Sequence, residues 1–283
     1  MIDLHMHTTF SDGSITPAEV VQMAVDNGIK VIAITDHDNT RSYAEAVEAA
    51  QGKDLVVIPG IEINTYWQDY EVHILGYFIN PDDELLQDVC QKHNQQRGVQ
   101  MREMMALIKT HGNIGLDLDD IKETSREGGT LGRPHVARAL VKKGGAANMS
   151  EAFRKYLLPK CPTYFRRQTV TPHEAVEAIY ESGGVAVIAH PGDMPIIRDL
   201  AQDLMNYGLR GLEAYHKSHS PGEIEFHCSL AEELGLIVTG GTDFHGTVDA
   251  YPTALKRLHV PDWVFEKLKL EKQRIDMASI KAS

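Results

Sequence analysis

Seven short apolar, β-branched runs punctuate this chain, and almost every one ends in a side chain able to ligate a metal. The runs cover residues 2–7 (IDLHMH), 31–35 (VIAIT), 54–63 (DLVVIPGIEI), 71–78 (EVHILGYF), 185–190 (VAVIAH), 211–216 (GLEAYH) and 235–245 (GLIVTGGTDFH). His5 and His7 end the first, Asp36 and His37 follow the second, and Glu62 is near the end of the third. His190 and His216 end the fifth and sixth, Asp243 and His245 close the seventh, and His73 alone lies inside its run, the fourth. In a β/α barrel the parallel strands point their C-terminal ends to one face, and chemistry collects there. Seven runs ending this way predict an α/β barrel with a single metal-binding mouth.

The intervening segments support that reading. Thr16-Pro17-Ala18-Glu19 combines an N-cap, a proline at the first helical position and a capping-box glutamate, and the helix it opens stops at Asn27-Gly28. Thr171-Pro172-His173-Glu174 repeats the device, with Gly183-Gly184 as the stop. Strands alternating with capped helices imply mostly parallel pairing. The alternation lapses between about 79 and 184, where the pattern turns helical. The expected organisation is a barrel made of residues 1–94 and 168–283, interrupted by a helical insertion over 95–167 that caps or flanks the mouth. The tail after His259 reads as one more helix with a polar end.

Composition removes several classes. An apolar fraction of 42% and a charged fraction of 24% are those of a soluble globular protein. No run is long and apolar enough to predict a transmembrane helix, and the first residues lack the basic-then-apolar pattern of a signal peptide. Cys90, Cys161 and Cys228 are isolated and form no CxxC pair, which argues against a zinc–thiolate site and for a reducing, cytoplasmic location. The net charge of −12 argues against a general nucleic-acid coat protein. Residues 133–167 run against that charge, with nine Lys and Arg against the single Glu151, leaving +8. No stable protein partner is expected.

His5-x-His7 on a strand points both imidazoles to one side, where they can chelate one cation. Asp243-x-His245 repeats the spacing at another strand end. Asp3 and Asp36, beside ligating histidines, are candidate acceptors that fix an imidazole tautomer. Asp38 or Thr40 is read as the N-cap of the next helix. In the basic segment, Arg133 of Gly-Arg-Pro-His is a candidate phosphate fork, with His135 beside it. Arg166 and Arg167 are further candidates, whereas Lys142, Lys143 and Lys155 read as a solvated face. Tyr164, Phe165 and Tyr215 are places where a base could stack. His216, Lys217 and His219 sit on a loop at the expected metal face, as phosphate ligands or as the acid that protonates the leaving oxygen.

The motifs DLHMHTTFSDG, ITDHD, GIEI, HILGYF, IAHPG and GTDFHG together resemble the PHP family (polymerase and histidinol phosphatase). The resemblance implies a distorted seven-stranded β/α barrel that binds two or three divalent metals at its strand ends. Carried onto this chain, it implies one position held by His5, His7, Glu62 and Asp243, a second by Glu62, His73 and His190, and a third by Asp12, His37 and His245. The set mixes imidazole and carboxylate without thiolate, which suits Mn²⁺, Fe²⁺ or Zn²⁺, with Mn²⁺ favoured. Such a cluster fits phosphoester hydrolysis. The length, the insertion and the GRPH and HKSHS segments resemble the bacterial subgroup that hydrolyses 3′,5′-nucleoside bisphosphates, a close member of which trims short RNA from the 5′ end. A small nucleotide or short oligonucleotide is therefore the expected substrate. Histidinol phosphate or another small phosphomonoester is the alternative, and a metal- and nucleotide-binding module without turnover is the alternative of another class.

Overall fold

A two-residue turn sets the topology of the sheet. Gln68 and Asp69 join strand β3 (Val56–Trp67) to strand β4 (Tyr70–Tyr77), and Gln68 takes a left-handed φ of 54° to do so. So short a link can connect only antiparallel strands. The remaining strands are β1 (Ile2–Met6), β2 (Val31–Ile34), β5 (Val185–Ile188), β6 (Leu209–His216) and β7 (Ile237–Gly241). They lie side by side in chain order, and every pairing is parallel except the two made by β4. Pairing is thus mostly parallel, as expected, with β4 the one exception. Because β4 starts at the mouth and runs away from it, its ligand His73 lies within the strand and not at its C-terminal end. The computed structural model describes residues 1–282.

Past β7 the chain bridges back to β1. Phe244 pairs with Met6, and the His7 N–H donates to the Phe244 carbonyl at 2.9 Å. The seven strands thus form a nearly closed, distorted barrel. Gly241 is required at this seam, since a Cβ there would sit 2.3 Å from the His5 backbone nitrogen. Apolar side chains of the strands, including Leu4, Ile61, Ile74, Val187 and Leu212, are fully buried in one large cluster with the helices outside.

Helix α1 (Pro17–Asp26) carries the expected capping box: Thr16 Oγ1 accepts from Glu19 N at 3.2 Å, and Thr16 N donates back to Glu19 at 2.7 Å. Helix α2 (Ser42–Ala50) follows β2. Its N-cap position is Arg41, which makes no side-chain cap bond, so neither Asp38 nor Thr40 caps it. Asp38 instead turns inward, with φ 51°, and is fully buried.

Helix α3 (Glu84–Gly112) is 29 residues long, about 43 Å at 1.5 Å per residue. It starts on the barrel, where Leu86, Val89 and Cys90 join the main cluster, and ends in a second one, where Met101, Met104 and Ile108 pack. A boundary at residue 94/95 would therefore fall inside a continuous helix. The second cluster also holds residues from α4 (Leu118–Lys122), α5 (Arg133–Lys142), α6 (Met149–Ala152) and the π-helical turn Phe153–Leu157, so the insertion has an apolar core of its own. The chain returns to the barrel through α7 (Pro172–Glu181), again with its capping box. Helices α8 (Ile197–Met205), α9 (Pro221–Leu234), α10 (Tyr251–Arg257) and α11 (Trp263–Ala282) complete the fold. No described helix is long and apolar enough to cross a membrane.

Candidate metal centre

The strand ends converge on Glu62. One carboxylate oxygen, Oε1, lies 2.8 Å from His73 Nδ1 and 2.9 Å from His190 Nε2. The other, Oε2, lies 3.2 Å from His7 Nε2, 3.3 Å from His5 Nε2 and 3.1 Å from His37 Nδ1. Asp243 Oδ1 is 3.2 Å from His7 and 3.5 Å from His5, and Asp12 Oδ1 is 3.1 Å from His245 Nε2. Donor atoms fall into four overlapping groups, each within 4.8 Å: His7, Asp12, His37 and His245; His5, His7 and Asp243; His5, Glu62 and His190; His37, Glu62 and His73. All nine residues singled out from the sequence as ligands are thus brought into one pocket. Two of them, His190 and Asp243, have positive φ, of 25° and 47°. Such backbone angles are costly for non-glycine residues and cluster where structure is held for function.

The donors are suited to cations. Burial alone would raise the Glu62 carboxyl, but His37, His5 and His73 around it hold it well below its usual range. Asp243 and Asp12 behave alike, burial being outweighed by His245 and its neighbours. Burial pushes His37 down to about 3, whereas at His7 and His73 burial is outweighed by the neighbouring carboxylates, which raise the rings to about 9 and about 10. Three buried polar atoms at the site have no hydrogen-bond partner: Asp12 Oδ1, His37 Nδ1 and His216 Nε2. Orphaned buried groups are expensive, and His37 Nδ1 is orphaned although a carboxylate oxygen lies 3.1 Å away, because the two are misaligned. Divalent cations among these atoms would satisfy them, and the imidazole–carboxylate donor set fits such ions.

The surrounding residues depart from expectation in informative ways. Neither Asp3 nor Asp36 touches an imidazole of the cluster. Asp3 accepts from Thr242 N, Thr242 Oγ1 and Tyr251 OH, tying the β7 end to β1. Asp36 accepts from Thr8 N, Thr8 Oγ1 and Ser11 Oγ, fixing the loop after β1. The carboxylate facing His5 Nδ1 is Glu213, at 2.9 Å, which the sequence reading passed over. Its signal was an acid set between Leu212 and Ala214 in the apolar middle of β6.

His216 reaches the site: its Nδ1 is 2.7 Å from Ser218 Oγ, and its orphaned Nε2 lies 3.4 Å from Asp243 Oδ2. Lys217 pairs with Asp243 Oδ2 at 3.1 Å and stays partly exposed. His219 does not serve as expected, because both nitrogens are held by backbone: Nδ1 on the Ala214 carbonyl at 2.8 Å and Nε2 on the Gly192 N–H at 3.1 Å. Nor does His135 face an anion with a charged ring. Its Nδ1 accepts from Gly132 N at 3.0 Å, closing the α5 cap, and burial pushes its pKa down to about 4.

Beside the cluster lies a cavity of about 100 Å³ lined by Asp12, His37 and His73 on one side and by Arg97, Gln100, Arg133 and Arg167 on the other. Arg133 uses one nitrogen, Nη2, for both Glu71 oxygens at 2.9 and 3.0 Å, and Arg167 Nε has no partner. Arg97 is fixed by Asp38 and the Leu131 carbonyl. Arg166 is directed elsewhere, to Gln68 and Asp69 at the hairpin tip and over the Tyr66 ring. Lys142, Lys143 and Lys155 pair with Glu123, Asp120 and Glu151 at the surface. Tyr164 bonds Tyr66 OH at 2.8 Å, and Tyr215 points away from the cluster, towards Cys228 and Trp263.

A nearly closed seven-stranded barrel whose strand ends gather carboxylates and imidazoles around one pocket defines a metal-dependent phosphoesterase, a hydrolase. The PHP domain model matches residues 3–157, and the chain belongs to the PHP family. It is 36% identical over 248 residues to a 3′,5′-nucleoside bisphosphate phosphatase of Chromobacterium violaceum, covering 86% of this chain and 87% of that one. It is 34% identical over 249 residues to the 5′-3′ exoribonuclease Rnm of Escherichia coli, covering 86% and 84%. A solved Bifidobacterium adolescentis structure, assigned to the metal-dependent phosphoesterases, superposes with a TM-score of 0.81 at 31% identity over 92% of this chain and 97% of that one.

Proposed function

We propose that this protein hydrolyses phosphate esters of nucleotides, with 3′,5′-nucleoside bisphosphates or short 5′-phosphorylated RNA as substrate. The observation that carries the reading is the cavity of about 100 Å³ between the cluster and two guanidinium groups, Arg133 and Arg167. Its size suits one phosphate-sized anion held beside the phosphate under attack. A substrate with two neighbouring phosphates uses both places; one similar relative is named for nucleoside bisphosphates and the other for RNA.

Two or three divalent ions, Mn²⁺ in preference to Fe²⁺ or Zn²⁺, would be held by His5, His7, Glu62 and Asp243, by Glu62, His73 and His190, and by Asp12, His37 and His245; they would lower the pKa of an attacking water and neutralise phosphoryl oxygens. The chain's own residues do the rest. Glu62 sits between the groups and keeps them together. Arg133 and Arg167 orient the second phosphate with charge-assisted hydrogen bonds. His216, with Nε2 free and Nδ1 held by Ser218, is placed to give a proton to the leaving oxygen, and Lys217 supplies positive charge at the same rim. The three cysteines are free thiols, in keeping with a cytoplasmic enzyme.

The test is phosphate release from 3′,5′-adenosine bisphosphate and from short 5′-phosphorylated RNA in the presence of Mn²⁺, with histidinol phosphate as comparator. Release from the nucleotide substrates is expected, and it should be lost in His5→Ala and Asp243→Ala. Arg133→Ala should raise KM for the bisphosphate about 10- to 100-fold, the equivalent of a charge-assisted bond of about 1.5–3 kcal/mol, and change histidinol phosphate turnover less. Turnover confined to histidinol phosphate, or Mn²⁺ and nucleotide binding with no release, contradicts the proposal.

A further inference from the structure

One buried carboxylate outside the nine candidate ligands touches two of them. Glu213, on β6, is fully buried. Its Oε1 lies 2.9 Å from His5 Nδ1, and its Oε2 accepts the backbone N–H of His190 at 2.8 Å. A carboxylate only accepts hydrogen bonds, so the contact with His5 requires the proton on Nδ1. A cation could then reach this ring only at Nε2, which faces inward, 3.1 Å from His7 Nε2 and 3.3 Å from Glu62 Oε2. The second contact holds a residue whose φ is 25°, a conformation side-chain-bearing residues seldom adopt.

The loop after His190 is gripped from the same side. His219 Nε2 accepts the Gly192 N–H at 3.1 Å, and His227 Nε2 donates to the Gly192 carbonyl at 2.9 Å. Gly192 itself has φ 55°. Thus β6 and α9 together clamp the turn that presents His190. Of the clamp's members only Glu213 also reaches a ligand imidazole.

We propose that Glu213 is a positioning residue that sets two metal ligands at once: it fixes the tautomer of His5 and holds the strained backbone of His190, linking two of the proposed cation positions through one carboxylate. This rests on the metal centre proposed above. The isosteric change Glu213→Gln separates it from a space-filling role. A carboxamide has one acceptor and one donor end, whereas the site presents two donors. With the amide NH₂ towards His5, the ring must carry its proton on Nε2 and can no longer ligate there. With the NH₂ towards His190, the backbone N–H loses its acceptor and the turn relaxes. Either orientation weakens metal binding, and outer carboxylates of this kind are typically worth about 10- to 100-fold in metal affinity.

The measurement is Mn²⁺ affinity and stoichiometry by competition with a fluorescent chelator, on wild type and Glu213→Gln, with thermal melting of the metal-free proteins as the check on folding. A cooperatively folded variant that binds Mn²⁺ about 10- to 100-fold more weakly is the expected result. Unchanged affinity and stoichiometry, within a factor of two, overturns the proposal. Should the variant not fold, nitrogen-15 NMR of the histidine rings in the Zn²⁺-loaded wild type decides: an Nδ1–H tautomer at His5 supports the proposal and an Nε2–H tautomer overturns it. Failure of the wild type to take up Mn²⁺ is a separate outcome that contradicts the metal centre itself, and the proposal with it.

Discussion

Asp38 shows how little of a side chain's role follows from its neighbours in sequence. Next to a helix it reads as a cap, yet it is buried behind the metal centre with Arg97 Nε at 2.8 Å, Arg97 Nη2 at 2.5 Å and the Asn64 N–H at 3.0 Å. Burial alone would raise its carboxyl, but His93, Arg97 and Arg167 hold it well below the usual range. Arg97 was invisible as a functional residue for the same reason: its partner is 59 residues away. A signal did exist. Along α3 the residues in phase with the apolar stripe run Leu86, Val89, Cys90, His93, Arg97, Gln100, Met101 and Met104, all buried. Polar side chains in phase with a buried stripe mark the part of the helix that faces the site and not the core. Replacing Arg97 by Ala takes the nearest cation from a buried carboxylate, leaving it only the Asn64 N–H and the more distant His93 and Arg167, which costs about 3–5 kcal/mol. Urea unfolding of the metal-free protein at pH 7 should show that loss. It should shrink below about pH 4, the ordinary carboxylate range, because a carboxyl with a lowered folded pKa contributes fully above its unfolded pKa and loses that contribution as pH falls towards the folded one. A loss under 1 kcal/mol at pH 7 contradicts the pairing.

At the scale of elements, local chemistry was legible wherever the signal is itself local. The Thr16 and Thr171 capping boxes form as the sequence implies, because N-cap and partner are three residues apart. Another, Ser220 with Glu223 at the start of α9, uses the same grammar with Ser in place of Thr. Thr171→Ala should cost about 1 kcal/mol, read as a lower midpoint in urea with unchanged slope; no change would mean that packing alone holds α7. The strand ends were legible because ligand types recur at the ends of apolar runs. Strand direction was not, since β4 reads like its neighbours and only the length of the Gln68–Asp69 link decides it. The boundary of the insertion was also out of reach, because α3 crosses from one apolar cluster to the other without a break in its periodicity. The loop histidines His216 and His219 look alike in sequence, and only their hydrogen-bond partners separate one whose Nε2 is free from one held by backbone at both nitrogens.

For the whole molecule, the barrel's near-closure and the insertion's separate core serve one arrangement. Five of the seven strands and their following loops bring ligand atoms to one pocket, β4 adds His73 from the opposite direction, and the insertion sets Arg133 and Arg167 across a narrow cavity from them. A chain of net charge −12 thereby places positive charge where a phosphate would need it. The account stands on the nine clustered side chains acting as ligands. Anomalous diffraction from crystals of the wild-type protein grown with Mn²⁺ tests that most directly. Two or three Mn²⁺ peaks are predicted, each about 2.0–2.3 Å from donor atoms of His5, His7, Asp12, His37, Glu62, His73, His190, Asp243 and His245. Peaks lying elsewhere, or none in this pocket at saturating Mn²⁺, would contradict it.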